Sequence, residues 1–243
     1  MSSTRALSHN RVMTDWRGGV DGWWAEVLHL PVGAVRGGGV FGLDHVDHAG
    51  VVAIPSRGPL VYGPPATLPA LSAAARLQTA ALLQGRHLAS LLGPRAGRVL
   101  GPAWYGYATA GMLVPVHSPA VRALGEQDLP GLARLHEQTP AAEREESGTT
   151  GLPAFGYLDG PDLLAVACLG SWHQMPTIGV LTHPGARNRG LATMVVTAAA
   201  AHGLTWRPVV QYRAWHRNTA SIAVATRCGF RHYCDGLVIE LDP

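Results

Sequence analysis

The sequence predicts a mixed chain of the α/β (α+β) class, and three observations predict it. Short apolar runs bounded by Gly and Pro recur from Val40 onward, which is the pattern of strands. Ala- and Leu-rich stretches with helical periodicity alternate with them. The chain has 243 residues, 47% hydrophobic and only 14% charged, so it can bury one large core or two modest ones and does not read as disordered.

Taken in order, Trp23 and Trp24 sit in a short apolar helix. Residues 40–43, 51–54 and 60–62 read as strands, and 68–92 as a long helical stretch. Residues 98–104 and 107–114 read as two further strands. The punctuation at Val116-His-Ser-Pro119 then separates an expected N-terminal α/β domain, 1–118, from a second domain, 119–243. In the second domain 120–124 is strand-like and 126–137 helical. A polar loop at 139–150 follows, carrying Glu143, Glu145 and Glu146. Residues 154–158 and 163–169 form a hairpin turning at Asp159-Gly160, and 176–182 is the next strand. Helix 191–202, strand 209–216, helix 219–227 and strand 237–241 complete the order β-α-β-β-β-α-β-α-β.

Composition excludes several classes. All 19 basic residues are Arg, they are scattered, and the formal net charge is only +3, so no nucleic-acid footprint is present. No apolar run is long enough to span a bilayer, and residues 1–12 lack the apolar centre of a secretory leader. A soluble cytoplasmic protein is expected. Cys168, Cys228 and Cys234 are odd in number and lack Cys-x-x-Cys spacing, which argues against disulfides and a metal site; the first two read as core filling.

One segment carries chemistry. Between the strand ending at Thr182 and the helix from Leu191 lies Arg187-Asn-Arg-Gly-Leu-Ala192, of the form Arg-x-x-Gly-x-Ala. Free backbone N–H groups at a helix N-terminus, with the helix dipole behind them, hold a diphosphate. Gly190 clears the side chain where phosphate approaches, and Ala192 keeps the next turn open. The same pattern recurs at Arg98-Val-Leu-Gly-Pro-Ala103, but Pro102 lacks a donor and no helix is expected after it.

On these residues the chain resembles the GCN5-related N-acetyltransferase (GNAT) superfamily, and in particular bacterial members with a degenerate acetyltransferase-like domain in front. Three features in order carry the resemblance: Thr182-His-Pro-Gly-Ala-Arg-Asn-Arg-Gly-Leu-Ala192, Asn218-Thr-Ala-Ser221 and Cys228-Gly-Phe230. It implies a GNAT fold, a mixed central sheet with flanking helices, preceded by a smaller GNAT-like domain. It also implies acetyl-CoA as acyl-donor cosubstrate without a metal, and a small-molecule amine or peptide N-terminus as acceptor; a homodimer is left open. Carried over residue by residue, Leu181, Thr182 and His183 present main-chain groups to the acyl carbonyl and pantetheine arm. Arg187, Asn188, Arg189, Gly190, Leu191, Ala192 and Thr193 hold the diphosphate; Asn218 contacts the pantetheine and Ser221 packs nearby.

The proton-transfer groups of the family are missing from their usual positions. The general-acid Tyr, seven residues after the Asn, is Ala225; the strand carboxylate, five residues before it, is Arg213. A thiol of pKa about 8.5 leaves readily as thiolate, so the missing acid is tolerable. Removing a proton from an alkylammonium of pKa about 10.4 costs roughly 4–5 kcal/mol at pH 7, so a base is needed unless the acceptor is already neutral. The candidates are Glu143, Glu145 and Glu146 in the polar loop, of which Glu145 represents the loop, together with His173 and His216; the amide of Thr182 or its neighbour is the oxyanion donor. The expected reaction is direct transfer in a ternary complex. The alternatives are a non-catalytic CoA-binding module, and an O-acyltransferase or decarboxylase on the same scaffold.

Overall fold

The computed structural model describes residues 15–242; residues 1–12, read above for a leader, lie outside that range. In chain order the elements are α1 (Trp16–Leu28), α2 (Val32–Gly37), β1 (Gly39–Gly42), β2 (His48–Ala53), β3 (Leu60–Gly63), α3 (Leu68–Ala74), α4 (Thr79–Leu82), α5 (Arg86–Leu92) and β4 (Ala96–Ala108). They continue with β5 (Val121–Ala123), α6 (Leu129–Glu137), α7 (Ala141–Ser147), β6 (Ala154–Asp159), β7 (Asp162–Trp172) and β8 (Met175–Thr182). Last come α8 (Leu191–Gly203), β9 (Val210–Trp215), α9 (Thr219–Arg227) and β10 (Arg231–Leu241). The chain is mixed α/β, as its sequence predicts.

It divides into two compact units. One holds 17–105, 215–217 and 232–242; the other holds 106–214 and 218–231 with Asp15 and Trp16. The units are interleaved in sequence, rather than meeting at 118/119, because β10 returns to pair antiparallel with β2, with Gly236 opposite Val52 and Ile239 opposite Ala49.

In the first unit the strand order is β1-β3-β2-β10-β4, with β1 parallel to β3 and β2 antiparallel to it. α1 buries Val20, Trp24 and Leu28, a set spaced four apart that makes one helical face. A core of Ala49, Val51, Val61, Leu71, Leu82, Leu88, Leu237 and Ile239 lies under α3, α4 and α5. The sequence suggested one long helix over 68–92; three short ones form instead. Gly85 takes φ +72, a left-handed value that ends a helix, and a Cβ there would press on Val99 and Leu237. The two strands expected at 98–104 and 107–114 are a single strand, β4, after which 109–112 turn. The second Arg-x-x-Gly-x-Ala copy lies inside β4 with no helix behind it, so it offers no helix N-terminus.

In the second unit the order is β9-β8-β7-β6-β5. Leu124, Leu132, Leu135, Ala154, Leu163, Val166, Cys168 and Leu181 form a core between the sheet and α6. α8 buries Leu191, Val195, Val196, Ala199, Ala200 and Gly203. The expected polar loop at 139–150 contains a helix, α7. Its signals are local: Pro140 before the first turn, Ala, Glu and Arg within it, and Gly148 at φ +62 after it. The charge run disguised them. The closing strand begins at Arg231, well before the apolar run at 237.

The Cys228-Gly-Phe230 ending has a steric reason. Gly229 sits at φ +98, and a Cβ there would overlap the Met112 carbonyl oxygen and come 2.8 Å from its carbon. Gly229→Ala therefore combines left-handed strain with a backbone collision, and should cost about 2–3 kcal/mol. A urea midpoint that falls by that amount with an unchanged slope is the expected result.

Candidate active site

The site is built on the open end of β8. β8 is antiparallel to β7 along its whole length, from Met175 opposite Trp172 to Thr182 opposite Ala165. Against β9 it is parallel, with only Thr177–Gln211 and Ile178–Tyr212 in register. Beyond Ile178 the β9-facing edge of β8 has no partner strand in register among the described residues. Main-chain groups alternate between the two edges of a strand. The His183 N–H donates to the Leu164 carbonyl, on the β7 side, at 2.8 Å. Odd-numbered residues therefore face β7, and the N–H groups of Val180 and Thr182 face the unpaired edge.

This divides the expected main-chain contacts. The Thr182 N–H is turned to the unpaired edge. The amides of Leu181 and His183 are turned to β7, and the Leu181 side chain is buried in the core. Val180, which the sequence reading did not single out, joins Thr182. Two-residue alternation backward from Thr182 was the signal that could have found it.

After β8 the chain makes a short turn, Pro184–Ala186, in which the His183 Nδ1 accepts from the Gly185 N–H at 3.1 Å and Ala186 is buried as an anchor. His183 is thus a turn cap. Arg187, Asn188, Arg189 and Gly190 are exposed, with Asn188 at φ +62 and Gly190 at φ +78. Gly190 is the N-cap of α8 and supplies no side-chain bond, so the first amides of this 13-residue helix lack a side-chain cap. A Cβ at Gly190 would meet nothing within 4 Å, so the space before the helix is open. Leu191 is buried, anchoring the first turn, while Ala192 and Thr193 are partly exposed.

Opposite lies the start of α9. Asn218 is its N-cap: Oδ1 accepts from the Ser221 N–H at 3.0 Å, and Nδ2 donates to Glu146 Oε1 at 2.9 Å. The Ser221 hydroxyl shares a 2.9 Å hydrogen bond with the hydroxyl of Tyr212, a buried ring whose desolvation pushes its ionisation far up. α7 runs beside this cluster. Its end packs on β8 so closely that a Cβ at Gly179 would overlap the Ser147 carbonyl oxygen. Its Glu143 pairs with Arg187 of the loop at 2.6 Å. Glu143 and Glu146 are three residues apart, on one helix face, and Glu145 is exposed.

Of the remaining candidates, His173 lies away from the open end of β8, and His216 has partners of its own. His173 occupies the tight turn joining β7 to β8, at φ +45 and beside Trp172. That is the far end of β8, about 30 Å of extended chain from Thr182 at 3.3 Å per residue. His216 belongs to the other unit, where its Nε2 is 2.8 Å from Asp235 Oδ1 and its amide donates to Pro102. His232 reaches the same oxygen at 2.8 Å. Burial pushes the Asp235 carboxyl up, but the hydrogen bonds from His232 and His216 outweigh it and hold the group below its ordinary range. Ala225 is fully buried and Arg213 is exposed, so neither takes the place of the missing acid or base. All three cysteines are buried, and desolvation raises the Cys228 thiol to about 11, which suits packing and not nucleophilic attack. Among the described residues no cluster of His, Cys, Asp or Glu could hold a metal, and no helix is long and apolar enough to cross a membrane.

An open strand edge leading into an uncapped helix invites comparison with known domains. Residues 163–231, which span β7, β8, α8, β9 and α9, match the family model of the acetyltransferase (GNAT) domain. The likeness to the GNAT family covers that stretch of the chain. Its fold is similar to that of a GNAT-family protein from Novosphingobium aromaticivorans, with a TM-score of 0.50 and 23% identity over 60% of this chain and 65% of that one. It is also similar to a GNAT-family acetyltransferase from Colwellia psychrerythraea, with a TM-score of 0.50 and 16% identity over 80% of this chain and 81% of that one. The chain thus spans just under two thirds of the first relative, and at these identities the likeness is one of fold. No curated protein matches by sequence. The GNAT domain match ends at Arg231, so β10 lies beyond it and α1 through β4 before it.

Proposed function

We propose that this chain is a GNAT-type acyl-CoA-dependent N-acetyltransferase, moving an acetyl group from acetyl-CoA to an amine by direct transfer in a ternary complex. The observation that carries the proposal is the unpaired edge of β8 at Val180 and Thr182, continuing into the open N-terminus of α8. Acetyl-CoA supplies a thioester carbon open to attack. Amides from Arg187 to Thr193 would hold its diphosphate, where dipole and N–H groups favour an anion. Arg187 would exchange its Glu143 partner for phosphate oxygen. The Val180 and Thr182 amides would donate to the pantetheine arm and the acyl oxygen, and would stabilise that oxygen as negative charge develops. We assign no role to a cysteine, so the amine attacks the thioester directly. The N-terminal part, expected over 1–118, we regard as a degenerate acetyltransferase-like domain.

The test is a calorimetric titration with acetyl-CoA, repeated on Gly190→Glu. That substitution forces a side chain into a left-handed position and places a carboxylate where diphosphate would lie. Binding should weaken at least about tenfold, one pKa-unit equivalent of free energy, from charge alone. Absence of heat with the parent protein, or equal affinity in the variant, would overturn the assignment. Binding without transfer to any amine would favour a CoA-binding module instead.

A further inference from the structure

Resting on that reading, we propose that Glu146 is the general base that the family positions fail to supply, and that Asn218 is its positioning residue. The Asn218 amide cannot turn over: Oδ1 is committed to capping α9 through the Ser221 N–H at 3.0 Å, which aims Nδ2 at Glu146 Oε1, 2.9 Å away. One carboxylate oxygen is thereby held and the other, Oε2, is left to accept a proton. The backbone places the group as firmly as the side chain does. Ser147, the next residue, presses its carbonyl on Gly179, the first β8 residue past the last β9 pair. The amide of Val180 follows directly. Glu146 therefore stands where β8 and β9 part, beside the oxyanion donor, whereas Glu143 of the same helix face is spent on Arg187.

In the step, Glu146 Oε2 takes a proton from the acceptor nitrogen as its lone pair forms the C–N bond. The C–S bond breaks and its electron pair leaves with sulfur as CoA thiolate. The proton on Glu146 then passes to water or to the thiolate, restoring the carboxylate. No oxidant or further reactant is required.

The test begins with a panel of primary amines as acceptors: an aminoglycoside, a polyamine, free amino acids, an arylamine and short peptides. On the acceptor that gives thiol release, Glu146→Gln should lower kcat about 100-fold at pH 7, the scale of general-base catalysis, with acetyl-CoA affinity unchanged. Its rate should climb towards high pH, as free amine replaces assisted deprotonation. Asn218→Asp keeps a capping oxygen but presents a second carboxylate to Glu146, so kcat should fall about tenfold or more while thermal stability holds. A Glu146→Gln rate within threefold of the parent, or one with the parent's pH profile, overturns the base and leaves acetyl transfer standing. Acetyl-CoA binding with no acceptor in the panel overturns both.

Discussion

Asp21→Ala is expected to lower the unfolding free energy by about 3–5 kcal/mol, the range for breaking a buried charge network by removing one partner. Asp21 lies on the inner face of α1 with 1% of its surface exposed. Its Oδ1 accepts from Arg57 Nη1 at 2.7 Å and from the Tyr233 hydroxyl at 2.6 Å, and its Oδ2 accepts from Arg36 Nε at 2.8 Å. One carboxylate thereby joins α1, α2, the loop after β2, and β10. Its loss takes one partner from a buried phenol hydroxyl and one from a largely buried guanidinium. Arg36 is half exposed and can turn to water, which favours the lower end of the range.

The same carboxylate makes stability pH-dependent. Burial pushes Asp21 up, but the hydrogen bonds from Arg57, Tyr233 and Arg36 together outweigh it and hold the group below its ordinary value. A group depressed in the folded state contributes stability above its unfolded pKa, about 3.9, and loses it as pH falls through the lower folded value. The parent should therefore shed stability on acidification below about pH 4, and Asp21→Ala should lose much of that dependence. Chemical denaturation at pH 7 and pH 3 measures both; an Asp21→Ala midpoint within experimental error of the parent would contradict the network's role.

The second large effect is on chemistry. Val180→Pro removes one N–H from the unpaired edge of β8 and none from the β7 ladder, so proline is tolerated there as on an edge strand. If that amide stabilises the oxyanion, kcat for acetyl transfer should drop about 10²–10³-fold. Leu181→Pro, one position on, removes a ladder bond and should instead destabilise the fold by about 3 kcal/mol or more. The pair separates the two edges of one strand. Thermal melts and steady-state rates distinguish them, and equal stability losses in both variants would refute the alternation on which the site is built.

Much of the site was legible in the residues themselves. The loop from Arg187 to Ala192, the helix behind it and the caps at Gly190 and Asn218 are set by residues a few positions apart, through φ preferences, missing Cβ atoms and side-chain oxygens near their own backbone. The decoy at 98–103 was discarded on the same local grounds. Helix α7 is also locally encoded, between Pro140 and Gly148, but a run of charges between a Pro and a Gly is equally the pattern of a polar loop.

Tertiary structure decided what spacing along the chain does not carry. The parting of β8 from β9 depends on a register between strands whose paired residues, Ile178 and Tyr212, are separated by a whole helix. The links Glu143–Arg187 and Glu146–Asn218 join residues 44 and 72 positions apart, and which of three glutamates meets Asn218 follows from how α7 packs beside Gly179. His173 fitted by chemistry alone; strand length put it at the far end of β8. Local conformation is chosen by each residue's own sterics, whereas convergence of side chains is chosen by how faces pack, and only the folded chain contains that information.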